Sequence, residues 1–206
     1  RSARSLPDDR EHFIDHGSAS YGAAVAIAYH FFHKEFDKVD PSISYAIRAA
    51  IKKHILDPYM DPAELEANRW LALAERNPDG FVNNWTPWCN SDVMLAYLLV
   101  EEDSDRLRKA VHQSVRSVEE FLEYTTTDGA CEEGPAYWSQ AAGRLYDYLQ
   151  IMYDASGGKF DILRTDRIKE SGEFISRAWV GDGYVVNFAD ASARNGINVN
   201  LVWSYA

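Results

Sequence analysis

Two stripes of apolar side chains at helical spacing constrain this chain more than any other feature. Ile43, Ile47, Ile51 and Ile55 recur every fourth residue, and Leu107, Val111, Val115, Val118 and Leu122 recur at threes and fours. That spacing lines one face of an α-helix and leaves the rest polar. Each stripe needs another element to cover it, so the chain must build layers of helices.

The punctuation supports the same reading. Asp40-Pro41 is a helix start, an N-cap residue followed by proline at the first helical position. Upstream, residues 21–36 are apolar almost all round, which predicts a buried helix, with His30 and His33 as core or rim residues. Leu6-Pro7-Asp8-Asp9 reads as a loop or a helix start. Asp57-Pro58 is expected to end the Ile-striped helix, and Asp61-Pro62-Ala63-Glu64 to start another that runs through Trp70, Leu71 and Leu73 and stops near Asn77-Pro78-Asp79-Gly80. Ser91-Asp92 and Ser104 read as caps of two further helices, with the Glu and Arg residues around the second on a solvated face. Residues 141–153 are again helical, Gly157-Gly158 breaks the pattern, and Ile168, Ile175 and Trp179 mark one more helix. Only residues 184–188 have a β character, followed by the turn-prone Asn195-Gly196.

The fold expected is therefore mainly α: about seven helices in antiparallel hairpins, arranged in two layers as an incomplete (α/α) toroid, with a short β element near the C-terminus. Residues 1–180 would form the toroid portion, and residues 181–206 the β element and a connection onward. In a toroid, inner-helix ends and their loops gather round one mouth, where binding and chemistry tend to sit.

Bulk properties exclude some functions. A formal net charge of -11 without a basic block argues against non-specific nucleic-acid binding. No stretch approaches the roughly 18 apolar residues of a membrane helix. Two cysteines, Cys89 and Cys131, are too few for a disulfide scaffold, and without Cys-x-x-Cys spacing or an adjacent His they read first as buried thiols. The aromatic content of 13% suits a thick core or a carbohydrate-type surface. An opening at Arg1 reads as a processed or truncated piece of a longer chain.

Two segments are chemically richer than a packing helix requires: Asn83-Asn84-Trp85-Thr86-Pro87-Trp88-Cys89-Asn90, and residues 128–138, which hold Glu132-Glu133-Gly134-Pro135 and Tyr137-Trp138. The amides of Asn83 and Asn84 can donate to a carboxylate without bringing charge. Trp85, Trp88 and Trp138 offer flat faces for sugar rings. Tyr137 offers a phenol, with an ordinary pKa of about 10, able to act as base once a neighbouring cation or donor lowers it. Arg144 is the first candidate for that role, ahead of Arg48 and Arg194. Together these groups suit removal of the weakly acidic proton beside a uronic-acid carboxylate, with amide donors stabilising the enolate-like transition state. Bland readings stand beside this one: Tyr137 and Trp138 as core aromatics, Glu132 and Glu133 as acids at a helix N-terminus, and Asn83-Asn84 as a turn.

At these residues the chain resembles the heparinase II/III-like family of polysaccharide lyases. The likeness covers roughly residues 60–195 and rests on Asn83-Asn84-Trp85 with Cys89-Asn90, on Glu133-Gly134-Pro135 with Tyr137-Trp138, and on Asn187-Phe188-Ala189-Asp190-Ala191-Ser192. It implies an (α/α) toroid followed by β-sandwich domains, in periplasmic or secreted enzymes that cleave acidic polysaccharides by β-elimination. By that likeness Tyr137 is the acid/base, Asn83 and Asn84 neutralise the uronate carboxylate, and Glu133 matches the motif's acid. No cofactor or metal is implied in this segment. Members draw a histidine, and some a structural zinc, from the sandwich half, which lies outside the chain. Alginate-type relatives carry His after the Asn pair, where Trp85 stands here. The expected substrate is a glycosaminoglycan or alginate. The alternatives are a glycoside hydrolase on the same kind of toroid, pairing Glu133 with Asp92 or Asp190 at roughly 5 to 10 Å, and a non-catalytic glycan-binding helical domain.

Overall fold

A computed structural model describes residues 13–64, 67–73, 82–196, 198 and 201–202. The chain is mainly helical, with one two-stranded antiparallel sheet among the described residues. The elements are α1 (His16–Val39), α2 (Pro41–Ile51), a π-helical turn (Lys52–Leu56), α3 (Asp57–Met60), 3-10 turns at Pro62–Glu64 and Arg69–Leu71, α4 (Trp85–Val100), α5 (Ser104–Tyr124), a 3-10 turn (Pro135–Tyr137), α6 (Trp138–Ala155), α7 (Asp166–Ala178), β1 (Trp179–Gly181) and β2 (Tyr184–Val185). No described helix is long and apolar enough to cross a membrane. Two compact units emerge, Arg1–Phe81 with Asp92–Arg116, and Val82–Ser91 with Ser117–Ala206. The expected 181–206 segment thus belongs to the second unit together with the helices before it.

In the first unit, α1 begins at a capping box: Asp15 accepts from the Ser18 amide at 2.7 Å, and the Asp15 amide donates to Ser18 Oγ at 3.0 Å. α1 is not the buried helix its composition suggests. Only its small residues, Ala19, Gly22, Ala23 and Ala26, are buried, while Tyr21 is 74%, Phe31 70% and Phe32 53% exposed. The reason is steric. A Cβ on Gly22 would meet Ile55 Cγ1 at 2.7 Å, so only a glycine-alanine face permits this approach, and helical periodicity turns the bulky residues outward.

α2 starts as expected, with the Asp40 side chain accepting from the Ser42 amide at 2.8 Å and Pro41 at the first position. Pro58 does not end the helix. One π turn intervenes at Lys52–Leu56, and the backbone resumes as α3 until Asp61. Proline lacks an amide and clashes with the carbonyl four residues back. An inserted π turn shifts the hydrogen-bond register and lets the chain pass. Carbonyls near the end of α3 find side chains: Tyr97 donates to Leu56 O at 2.5 Å, and Gln113 Nε2 to Tyr59 O at 2.6 Å.

Three other expectations shift. Asp61 caps only a 3-10 turn, so Trp70 and Leu71 sit on a second short turn; there Trp70 Nε1 donates to Ile14 O at 2.7 Å. Ser91 and Asp92 lie inside α4, where the Asp92 carboxylate accepts from Ser20 Oγ at 2.5 Å. Asp103, not Ser104, caps α5, accepting from the amides of Asp105 and Arg106 at 2.9 and 3.1 Å. Residues 6–9 and 77–80 fall outside the described residues. His33 is half-buried and stacks on Tyr29 at 5.3 Å, whereas His30 is exposed.

Glu101 anchors the first unit. Its side chain is 1% exposed and meets Lys52 Nζ at 3.2 Å and Arg106 Nε at 3.0 Å. It also accepts from the amides of Glu102 and Asp103 at 3.0 and 3.1 Å. The Arg106 contact is close but poorly aligned for a hydrogen bond. Burial raises the Glu101 pKa, but the Asp103 amide and the Lys52 and Arg106 charges outweigh it and hold the carboxyl below its ordinary range.

In the second unit, α6 and α7 bury Leu145, Tyr148, Leu149, Ile168, Phe174 and Ile175. Gly157 and Gly158, with φ of 61° and 79°, end α6 in the left-handed conformation glycine tolerates. β1 pairs antiparallel with β2, and Tyr184 bridges onward to Arg194. The expected strand over 184–188 is therefore short, and residues 186–192 run on as a loop.

Candidate functional site

The first rich segment is the start of α4. Asn83 Oδ1 accepts from the Trp85 amide at 2.9 Å, and Asn83 O from the Thr86 amide at 3.0 Å. Pro87 falls in the first turn, where a missing amide costs nothing. Asn83 is half-buried there, with its oxygen committed to this cap. Asn84 is 5% exposed, and its side-chain oxygen has no hydrogen-bond partner among the described residues. Asn90, fully buried, donates to Thr86 O at 2.8 Å and Ser117 Oγ at 2.7 Å, so this motif residue is structural.

The second segment folds as a chain of tight turns. Asp128 Oδ1 accepts from Thr126 Oγ1 at 2.5 Å and from the Ala130 amide at 3.2 Å, and Gly129 follows with φ of 71°. Gly134 takes φ 89° and ψ 171°, a region essentially reserved to glycine, and feeds the 3-10 turn Pro135–Tyr137 that opens α6. The Gly-Pro pair thus sets the start of α6, as its sequence suggests.

The two segments meet at Glu133, whose Oε2 accepts from the Asn84 amide at 3.2 Å. The third motif joins them there. A Cβ on Gly134 would lie 2.4 Å from Phe188 O and 2.7 Å from Ala191 Cβ, and Asn195 Nδ2 donates to Pro135 O at 3.2 Å. Glu133 is half-buried. Desolvation, then the negative charges of Asp190 and Glu132, push its carboxyl above the ordinary range, against the pull of the Asn84 amide. Asn83, Asn84 and Glu133 line one recess of about 50 Å³, together with Phe121, Tyr124 and Cys131.

Trp88 and Arg144 line a different cleft, of about 400 Å³, with Gln140, Asp147 and Asn198. The Arg144 guanidinium sits 4.7 Å from the Trp88 ring centroid, and its Nη1 lies 3.3 Å from Asp147 Oδ2. Tyr137, half-buried at the end of its 3-10 turn, lines neither cavity. The structure therefore brings together Asn83, Asn84 and Glu133, and separately Trp88 and Arg144.

Trp138 is 1% exposed and donates Nε1–H to Ser171 O at 2.8 Å. It has no free face for a sugar ring and serves the core, as its bland reading allowed; Trp85 and Trp88, both half-buried, keep some surface. Arg48 pairs with Glu102 at 2.5 Å in the first unit, and Arg194 lies 4.9 Å over the Tyr184 ring in the second.

Tyr124 was not singled out by the sequence. A hydrogen bond to Glu132, followed by burial, raises its phenol pKa. The available signal was its place in the last turn of α5, beside the rich 128–138 segment. Cys89 and Cys131 are buried and in no disulfide, and burial pushes the Cys131 thiol up to about 12. Among the described residues there is no group of three or more His, Cys, Asp or Glu side chains placed to hold a metal ion. No protein-family model matches the chain, and no curated protein sequence matches it.

Proposed function

We propose that this chain is the helical part of a polysaccharide lyase that cleaves uronic-acid-containing glycans, of glycosaminoglycan or alginate type, by β-elimination. The supporting observation is the convergence on Glu133 of three segments distant in sequence: the Asn84 amide on Glu133 Oε2, Gly134 against Phe188 and Ala191, and Asp190 acting on the same carboxyl. In this reading Glu133 positions the α4 start, and the Asn83 NH2 neutralises the uronate carboxylate. Tyr137 takes the proton on carbon five; the electron pair forms the new double bond as the glycosidic bond at carbon four breaks. The tyrosine then returns its proton to the departing oxygen. Arg144 on Trp88 supplies a charged stacking subsite for a further sugar. The helices would belong to an (α/α) toroid, and the enzyme to the periplasm or the exterior of the cell.

The test is ultraviolet absorbance on heparan, chondroitin, hyaluronan and alginate, because elimination creates a conjugated double bond and hydrolysis does not. A rise is expected on at least one polymer, and Tyr137→Phe should abolish it while leaving glycan binding intact. An equally active Phe variant removes Tyr137 from the mechanism. One observation favours a second reading. Glu133 is held toward its protonated form beside Asp190, as a glycoside hydrolase's acid would be. New reducing ends without the absorbance rise would select it.

A further inference from the structure

The outer face of α1 carries a pattern of its own, opposite the small residues that pack on Ile55. Gly17, Tyr21, Ala24, Ala28, Phe31 and Glu35 recur at alternating steps of four and three. That spacing is the seam of a helix pair, since it keeps one line of side chains facing a second helix. The seam runs along about 27 Å of α1. Its members are exposed, except the half-buried Ala28, and lie opposite the buried Ala19, Gly22, Ala23 and Ala26. Tyr21 is 74% and Phe31 70% exposed, and Ile27 and Phe32, at 39% and 53%, flank them on either side.

At about 200 Å² for an aromatic side chain, Tyr21, Phe31 and Phe32 leave about 400 Å² of ring surface outside. A stable interface buries about 800 Å² per partner, of which about 57% is apolar. Three rings therefore supply most of the apolar area that a stable dimer needs. The seam is also its own complement. In an antiparallel pair with the two-fold axis midway between Ala24 and Ala28, Ala24 meets Ala28 of the second copy, Tyr21 meets Phe31 and Gly17 meets Glu35. The alanines let the two backbones approach at the centre, and one aromatic pair closes each end, repeated by the symmetry. Charge agrees with this direction. Glu35, held by Lys38 of its own helix at 2.6 Å, comes to the first turn of the second copy's α1. There no acidic residue adds to the Asp15 cap, and a carboxylate is favoured. A parallel pair instead sets Glu35 against Glu35 and aligns the two helix dipoles.

We propose that α1 is a homodimer interface, along which two copies of this chain meet antiparallel in the Tyr21–Phe31 register. The inference stands apart from the lyase reading, because association is measured without substrate. The test is sedimentation equilibrium of the full chain from about 1 to 200 µM, a range that brackets the micromolar dissociation constant expected of an interface of this size. A monomer–dimer equilibrium is expected. Tyr21→Lys and Phe31→Glu should each raise the dissociation constant at least about tenfold. Both residues are exposed, so circular dichroism and Tm stay those of the parent. Combining Tyr21→Lys with Phe31→Glu should restore association, because the antiparallel register sets each new cation against a new anion, whereas a parallel one sets like charges together. A chain that stays monomeric to the top of the range overturns the proposal, as does a dimer that neither single variant weakens. A combined variant no better than the single ones overturns the antiparallel register.

Discussion

Replacing Gly134 by alanine tests whether the three converging segments are held by contact or merely lie close. Two costs add. The backbone there, at φ 89° and ψ 171°, lies where a side chain costs about 1–3 kcal/mol. The new Cβ would also sit 2.4 Å from Phe188 O and 2.7 Å from Ala191 Cβ. Neither neighbour is the far end of a flexible side chain, so the overlap has to move backbone, at about 1–3 kcal/mol. The sum is about 4 kcal/mol, which for a chain of this length lowers Tm by roughly 8–16 °C. Gly157→Ala is the control. Its φ is 61°, and no atom lies within 4 Å of the added Cβ, so only the conformational cost of about 1–2 kcal/mol remains. Thermal and urea unfolding of both variants, followed by far-ultraviolet circular dichroism, gives the difference. If Gly134→Ala unfolds within about 1 kcal/mol of Gly157→Ala, the packing of the 188–191 segment on the Gly-Pro turn is not a structural constraint.

Further predictions concern charge. Because the folded-state pKa of Glu133 is raised, its favourable contribution is complete below the ordinary carboxylate range and is lost as pH rises through the raised value. Glu133→Gln should flatten that part of the stability-pH curve; an unchanged slope would refute the assignment. Glu101→Ala removes a side chain that is 1% exposed and touches Lys52 and Arg106, each 32% exposed. Breaking such a pair costs about 3–5 kcal/mol, and the two cations can reach water, so the lower end is expected. A loss under about 1 kcal/mol in urea unfolding would place Glu101 among ordinary surface ion pairs. Cys131, 8% exposed with its thiol pushed up to about 12, should react with iodoacetamide at neutral pH only after denaturation. Equal native and denatured rates would contradict its burial.

How much of this was legible in the sequence depends on where each signal's physics lies. Asp40-Pro41, the Gly157-Gly158 stop and the α5 stripe were readable because capping, left-handed backbone and helical periodicity are local. Pro58 misled because a proline's local preference is to end a helix, whereas one π turn shifts the hydrogen-bond register and the helix continues past it. Ser91-Asp92 misled in the opposite direction: α4 already begins at Trp85, and Pro87 in its first turn costs no hydrogen bond.

The site divides along the same line, between what a residue type can do and which way it faces. Trp138 has the ring for a sugar platform and the N–H for a buried hydrogen bond, and composition cannot choose between them. Its 1% exposure and its bond to Ser171 O choose the core. Residues 21–36 show the converse: apolar almost all round, they read as buried, yet Phe31 and Phe32 face outward because Gly22 must meet Ile55. For Asn83 and Asn84 the letters give the residue type and not its surroundings. The Asn83 oxygen caps α4 through the Trp85 amide, whereas Asn84 is buried, with no partner for its oxygen among the described residues. Two identical neighbours thus take different environments, set by where the helix begins and not by composition.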